Sequence, residues 1–356
     1  MKNNNKNYNS VFFNPINTIK DALKRISKTG EKCLVIVDER EKLLGTLSDG
    51  DLRKAILRGS RINDSIEGIY KVKPTVFLIG EYSNKQAKET FIKRKFDLIP
   101  VVNQEDIVVN VLFWEKIFSN DKQKTHQKLD IPVVIMAGGK GTRLEPFTKV
   151  LPKPLVPINE KPLIEHILER FTDVGVNTFI ITINYKARIM KAFFEELKPD
   201  FSVDFVEEQE PLGTAGSLKI LKNRFDTPFF VTNCDIIINL DYTDLINFHV
   251  KNEYDITLVA SAKEYIIPYG TCELNEEGHL SHINEKPKLD FLINAGLYVL
   301  NPAVLGLIPE NTFYHITHLI EDAKTQGLRI GVFPVDDDDW IDVGQWTEYK
   351  KAVKIL

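Results

Sequence analysis

The chain has 356 residues, 43% hydrophobic and 27% charged, with a formal net charge of -4. That length provides for two or three domains, each able to bury a core. Mild acidity without a basic cluster argues against a nucleic-acid partner, and no apolar run is long enough to span a bilayer. Cys33, Cys234 and Cys272 lie far apart without metal-ligand spacing, and the polar start Met1-Lys-Asn-Asn-Asn lacks the apolar centre of a signal peptide. A cytoplasmic protein with reduced thiols, binding no membrane, is the expectation.

In chain order, residues 1–118 come first and contain an internal repeat. Leu34-Val-Ile-Val-Asp38 recurs as Ile99-Pro-Val-Val-Asn103, and the same offset pairs Thr18 with Ser83, Ala22 with Ala87 and Leu47 with Leu112. Each copy, about 11–62 and 63–118, reads as an amphipathic helix, a buried strand, a turn, a second strand and a closing helix. One copy is small for a core of its own, so the two should pack together. The pattern resembles a tandem pair of CBS modules, an α+β domain. In adenosine-nucleotide-binding CBS modules a Ser/Thr and an Asp three residues later hold the ribose hydroxyls. Ser48 and Asp51 match those positions, whereas the second copy has Phe113 and Lys116. A regulatory nucleotide is one reading; a dimerisation scaffold with Asp51 serving a helix N-terminus is the other. A homo-oligomer is the expected assembly. Residues 119–130, almost without apolar content, read as a linker to a second domain over 131–356.

That domain opens on Val133-Val-Ile-Met-Ala-Gly-Gly-Lys-Gly-Thr-Arg-Leu144, followed by Pro152-Lys-Pro-Leu155. An apolar strand ends in glycines whose bare N–H groups can close around a polyphosphate, with two cations nearby. No Gly-Lys-Ser/Thr follows, so it is not a P-loop, and Leu144 occupies the third glycine position of a dinucleotide fingerprint. Beyond it, Phe179–Ile183, Phe201–Val206 and Pro228–Thr232 read as strands, Ala187–Leu197 and Leu218–Phe225 as helices. This alternation indicates a mainly parallel sheet covered on both faces, whose ligands collect beyond the carboxyl ends of the strands.

The glycine loop with its Pro-Lys-Pro-Leu resembles the signature of the sugar-1-phosphate nucleotidyltransferases, over roughly residues 130 to 356. The resemblance implies a Rossmann-like, GT-A-like α/β domain with a mixed, mainly parallel sheet. It also implies joining of a nucleoside triphosphate to a sugar 1-phosphate with release of pyrophosphate. The backbone of Ala137, Gly138, Gly139, Gly141 and Thr142, with Gly213 and Thr214 further on, would hold the nucleotide. Arg143 would neutralise the leaving pyrophosphate and Lys153 the α-phosphate.

Two aspartates match the family's magnesium ligands: Asp235, at the end of Phe229-Phe-Val-Thr-Asn-Cys-Asp, and Asp342 in Trp340-Ile-Asp-Val-Gly344. The family has glycine where Cys234 stands. Mg2+ needs few protein carboxylates, completing its shell with phosphate and water. The run Asp336–Asp339 reads as a solvated loop. Asn284-Glu-Lys-Pro287 resembles the sugar-phosphate motif, with Glu285 for hydroxyls and Lys286 for the phosphate; Asn294 and Gly270 would flank the sugar.

For the base, Glu208 stands by spacing from Gly213 where pyrimidine-using relatives have glutamine; a one-residue slip would bring Gln209 there. A carboxylate only accepts, and guanine offers two adjacent donors where uracil and thymine offer one, which favours GTP. The domain order resembles bacterial enzymes of legionaminic acid synthesis, making glucosamine 1-phosphate the first expectation; the alternatives are a mannose-1-phosphate guanylyltransferase or a glucose-1-phosphate thymidylyl- or uridylyltransferase. A non-catalytic nucleotide-sensing subunit is the rival class; retention of Arg143, Lys153, Asp235 and Asp342 speaks against it.

Overall fold

A computed structural model of the protein describes residues 8–94, 96–118 and 129–356. It falls into two compact units: the described residues up to 118 together with Ala262–Phe291, and those from 129 to 261 together with Leu292–Leu356. Residues 119–128 of the expected linker lie outside the described residues. Leu129, its penultimate residue, is 6% exposed, packs in the core of the second unit and donates its N–H to Val174. The second unit therefore begins before the expected boundary.

The N-terminal module repeats its elements at the sequence offset of 65, from Cys33 to Leu98. Helix Ile19–Thr29 answers to Asn84–Arg94, strand Cys33–Val37 to Leu98–Val102, and Leu43–Ser48 to Val108–Phe113. In both copies the two strands pair antiparallel, with an irregularity at the same point, Ile36/Val37 and Val101/Val102. Strand Lys71–Val72, which falls in the second copy by sequence, pairs instead with the first copy's Leu43–Ser48. Apolar side chains of both copies, among them Leu34, Ile36 and Leu47 with Leu98, Val102 and Phe113, form one cluster. Two backbone bonds, Leu43 N–H to Asp106 and Val108 N–H to Glu41, stitch the copies together. Helix Ile19–Thr29 starts on a Thr18/Asp21 capping box and ends on Gly30 at φ 67°, a conformation glycine adopts without steric cost.

The second unit is built on a seven-stranded sheet. Its order is Ser202–Glu207, Thr178–Ile183, Val133–Met136, Phe229–Asn233, Lys288–Leu300, Ile256–Ile266, Ile330–Asp336. The first four run parallel; Lys288–Leu300 runs antiparallel to Phe229–Asn233. Alternate side chains feed two cores. Val133, Ile135 and Phe230 enter one with Phe171 and Phe179, while Val134, Met136 and Val231 enter the other with Leu218 and Tyr298. Burial on both faces explains why these strands read as unbroken apolar runs. Helix Ala187–Leu197 spans the residues expected of it. The expected helix over Leu218–Phe225 is instead a short turn of helix, Gly213–Gly216, running into a 3-10 segment, Ser217–Leu221. Extended Lys222 and left-handed Asn223 stop it there.

Candidate active site

The strand Val133–Met136 lies between two parallel neighbours, and the chain leaves its carboxyl end as the glycine loop. Gly141 turns the loop at φ 66° into the 3-10 segment Thr142–Leu144, and a Cβ there would stand 2.9 Å from Thr148 Cγ2 and 3.0 Å from Lys153 Cβ. Only glycine lets the loop pass this close to the lysine. Gly138 is less constrained: its Cβ would meet Glu208 Oε1 at 2.8 Å, but that is the movable end of a side chain, and its own backbone is not left-handed. Ala137 is buried and its N–H is taken by Thr182 O at 3.0 Å, which ties the loop to the next strand.

The loop lines a cavity of about 400 Å³ with Gly138, Gly139, Gly141, Thr142, Arg143, Lys153, Glu208, Gly213, Thr214 and Asp235. Sequence reasoning did not name Thr182, Pro211, Asn233, Phe313 and His315, which share its wall. Phe313 and His315 stack edge to face at 4.8 Å, but stand far from any motif and carry no spacing that could have flagged them. Asn233, two residues before Asp235 in a motif already singled out, was within reach.

A separate pair of short strands, Ile236–Ile238 and Trp340–Asp342, joins the two aspartates. Ile236 pairs with Asp342, and Val343 N–H donates to Asp235 O at 2.8 Å. A Cβ on Gly344 would lie 2.7 Å from Asp342 Oδ1, 3.3 Å from Asp235 Oδ2 and 3.5 Å from Arg143 Nη2. Both carboxylates and the guanidinium thus converge on one glycine. Lys153, only 7% exposed, forms an ion pair with Asp235. Burial and the adjacent charge of Asp235 push the Asp342 pKa up, partly offset by the Gly344 N–H, Lys153 and Arg143. Two carboxylates that repel each other at this range are a donor pair a divalent cation would relieve. Among the described residues no group of three or more His, Cys, Asp and Glu side chains is placed to hold a metal, so a cation here would draw its other ligands from substrate and water. Cys234 is buried beside them, and burial, reinforced by Asp235 and opposed by Lys153, pushes its thiol up to about 12.

Glu208, rather than the neighbouring Gln209, faces the cavity. It is 5% exposed, and its Oε2 accepts the Leu212 N–H at 3.1 Å. Burial raises its pKa, and the Leu212 N–H with the Ser217 and Thr182 hydroxyls offsets part of that rise. Gly213, at φ 80°, presses so close to Tyr314 that a Cβ would stand 2.8 Å from its carbonyl oxygen. The Thr214 hydroxyl accepts the Ile316 N–H at 2.9 Å, so it fixes the helix Ile316–Thr325 as well as lining the cavity.

The sugar-phosphate candidates divide between the units. Gly270, Glu285 and Lys286 belong with Ala262–Phe291, where a Cβ on Gly270 would meet Glu285 Oε2 at 3.0 Å. Lys286 takes a left-handed φ of 47°. Asn294 lies in the other unit, its side chain accepting the Gly296 N–H at 3.1 Å. In the N-terminal module Ser48 and Asp51 close a reciprocal capping box on helix Asp49–Leu57 and also line a cavity of about 250 Å³ with Cys33, Thr46, Lys71 and Asp97. The run Asp336–Asp339 departs from the solvated loop expected of it. Asp336 is 2% exposed and accepts the Asp338 N–H at 3.0 Å, because a 3-10 turn leads the chain into Trp340–Asp342.

A model of the nucleotidyl transferase family matches residues 132–356, and a CBS domain model matches residues 6–58. Mannose-1-phosphate guanyltransferase of Yarrowia lipolytica is 37% identical over 224 residues, 60% of this chain and 60% of that protein. Probable mannose-1-phosphate guanylyltransferase 2 of Oryza sativa subsp. japonica is 34% identical over 236 residues, 62% of this chain and 63% of that one. The chain thus spans about 60% of the length of the curated relatives it matches. The crystal structure of HddC from Yersinia pseudotuberculosis superposes with a TM-score of 0.51 at 29% identity, covering 63% of this chain and 98% of that one. The same protein complexed with GMP-PN gives 0.50 at 27%, with the same coverage. No helix among the described residues is long and apolar enough to cross a membrane. With its glycine loop, paired aspartates and mainly parallel sheet, the chain belongs to the nucleotidyl transferase family and carries an N-terminal CBS domain.

Proposed function

We propose that the protein is a sugar-1-phosphate guanylyltransferase, which joins GTP to a hexose 1-phosphate and releases pyrophosphate. The observation that carries this reading is the convergence of Arg143, Asp235 and Asp342 on Gly344, with Lys153 paired to Asp235, at the wall of a glycine-lined cavity. A sugar-phosphate oxygen attacks the α-phosphorus in line. The new P–O bond forms as the bridge to the β-phosphate breaks, and the electron pair departs with pyrophosphate. Positioning and charge compensation do most of the work in such a displacement. Arg143 would meet the charge growing on the leaving group, and Lys153 the crowded α-phosphate. Asp235 and Asp342 would hold Mg2+, which as a Lewis acid withdraws charge from phosphate oxygens.

Glu208 supports guanine as the base. A carboxylate facing the cavity accepts from the ring N–H and exocyclic amine together, while uracil and thymine present one donor between two carbonyls. The guanylyltransferase names of the relatives agree with this. The same names support mannose 1-phosphate as our first choice of acceptor, with glucosamine 1-phosphate second on domain order alone, for a surface-glycan or nonulosonic acid route. Glu285 and Lys286 would take the sugar and its phosphate. Ser48 and Asp51 would hold the ribose of a regulatory nucleotide in the module's cavity.

The test is pyrophosphate release from a panel of nucleoside triphosphates crossed with sugar 1-phosphates, in Mg2+. GTP with mannose 1-phosphate or glucosamine 1-phosphate should turn over fastest. Faster turnover with UTP or dTTP overturns the base assignment. No turnover with any pair, alongside nucleotide binding, points instead to a sensing subunit.

A further inference from the structure

Strands Ile256–Ile266 and Lys288–Leu300, neighbours in the seven-stranded sheet, bracket the arm that carries Gly270, Glu285 and Lys286. At its base the arm packs with the N-terminal module. Ala262, 2% exposed, joins the module's apolar cluster. Two residues on, Glu264 Oε2 pairs with Lys20 Nζ at 3.0 Å, while Oε1 meets Lys288 at 3.5 Å. On the returning strand the Asp290 carboxylate accepts from the Asn63 side-chain amide.

Lys20 and Asn63 come from a single corner of the module. The Lys20 N–H donates to Ile62 O at 2.8 Å and the Ile19 N–H to Asp64 O at 3.0 Å, locking the start of one helix to the turn after the next. Two side chains on one rigid corner therefore grip both strands of the arm. The Lys20 and Glu264 side chains are only 14% and 18% exposed, so water screens this pair less than a surface pair. Further out the arm is a lone hairpin, Thr271–Leu274 with Leu280–Asn284. Its apolar face, Cys272, Leu274, Leu280 and Ile283, is exposed. Two strands alone are marginal in water, so the arm's orientation depends on what holds its base.

We propose that Lys20 and Asn63 are positioning residues for the sugar-binding arm: the module's corner sets where the arm points, and thereby how well the sugar 1-phosphate is captured, without touching substrate. This rests on the assignment of Glu285 and Lys286 to the sugar phosphate. Full-length Lys20→Met and Asn63→Asp, with Lys20→Arg as the conservative control, would be compared with wild type by steady-state kinetics and amide hydrogen exchange. Lys20→Met and Asn63→Asp should raise KM for the sugar 1-phosphate by about tenfold to a hundredfold, the scale of a remote misplacement. KM for GTP should stay near wild type, and exchange across residues 267–286 should quicken; Lys20→Arg should restore both. Unchanged exchange in the arm, or an arm that loosens while sugar KM stays put, overturns the proposal. A wild type that turns over no sugar 1-phosphate sinks the functional assignment instead, and exchange still decides whether the corner holds the arm.

Discussion

Lys153 sits 7% exposed against the Asp235 carboxylate, so either residue alone would be a poorly solvated charge. Each also faces the cavity in which a triphosphate would be held. Lys153→Ala and Asp235→Ala are expected to lower turnover by two to three powers of ten, about 2.7–4 kcal/mol, as removal of an oxyanion donor does. Circular dichroism separates that loss from a loss of fold. As the proposed guanine reader, Glu208 would have two opposed roles. Its pKa is raised by burial, so the folded state binds its proton more tightly than the unfolded chain. Stability then falls as pH rises from the unfolded value of 4.5 through the folded one, and the cost is fully present above it. Glu208→Gln should therefore raise Tm at neutral pH while weakening GTP by roughly one to two powers of ten, the worth of hydrogen bonds to a charged group. In wild type, GTP affinity should fall as pH drops through the raised pKa. A Tm that falls in Glu208→Gln, with GTP affinity intact, would contradict both halves. That Glu208 lines the cavity was legible from its spacing to Gly213, although that spacing left Gln209 open; the second duty of Thr214, at the start of Ile316–Thr325, was not, since its partner is distant in sequence.

Among elements, the three inner parallel strands were the easiest to read, because burial on both faces writes itself as largely apolar sequence, whereas the partly exposed edge strand Ser202–Glu207 mixes apolar and charged residues. Short antiparallel pairs leave no such trace. Nothing periodic marks Ile236–Ile238 and Trp340–Asp342 as partners, yet their pairing places Asp235 beside Asp342. Ile237, 2% exposed, sits at the centre of that pair opposite Ile341. Ile237→Ala should cost about 2–5 kcal/mol as a core truncation and reduce turnover of the molecules that remain folded. Undiminished kcat at low temperature would show that the carboxylates are held by other means. Helix Tyr242–Lys251 is fixed differently. Its buried His249 meets the Thr257 hydroxyl at 2.8 Å and Asn301 Oδ1 at 3.1 Å, and burial lowers its pKa below 6.5. Here the unfolded chain binds the proton more readily, so stability is full above 6.5 and is lost as pH falls toward the folded value. Tm measured downward from neutral pH should drop in wild type and flatten in His249→Gln.

At the scale of the whole molecule, an N-terminal CBS domain and a nucleotidyl transferase domain share one chain; the 65-residue echo made the repeated elements of the first region legible, of which the CBS family model matches residues 6–58, and the glycine loop did the same for the second. What sequence could not convey is that residues 262–291, interior to the second by order, pack with the first. Contacts such as Lys20 with Glu264 join charged residues far apart in the chain, and charge alone selects no partner. If a nucleotide occupies the module's cavity, fluorescence or calorimetric titration of the full chain should register it, and Asp51→Ala should abolish it. Binding that survives that substitution would place the ligand elsewhere. The most direct test of the catalytic picture is a crystal structure with a non-hydrolysable GTP analogue and Mg2+. The triphosphate should lie along Gly138–Arg143, with the metal between Asp235 and Asp342 and the guanine edge on Glu208. A nucleotide bound outside that cavity, with both aspartates free of metal, would contradict it.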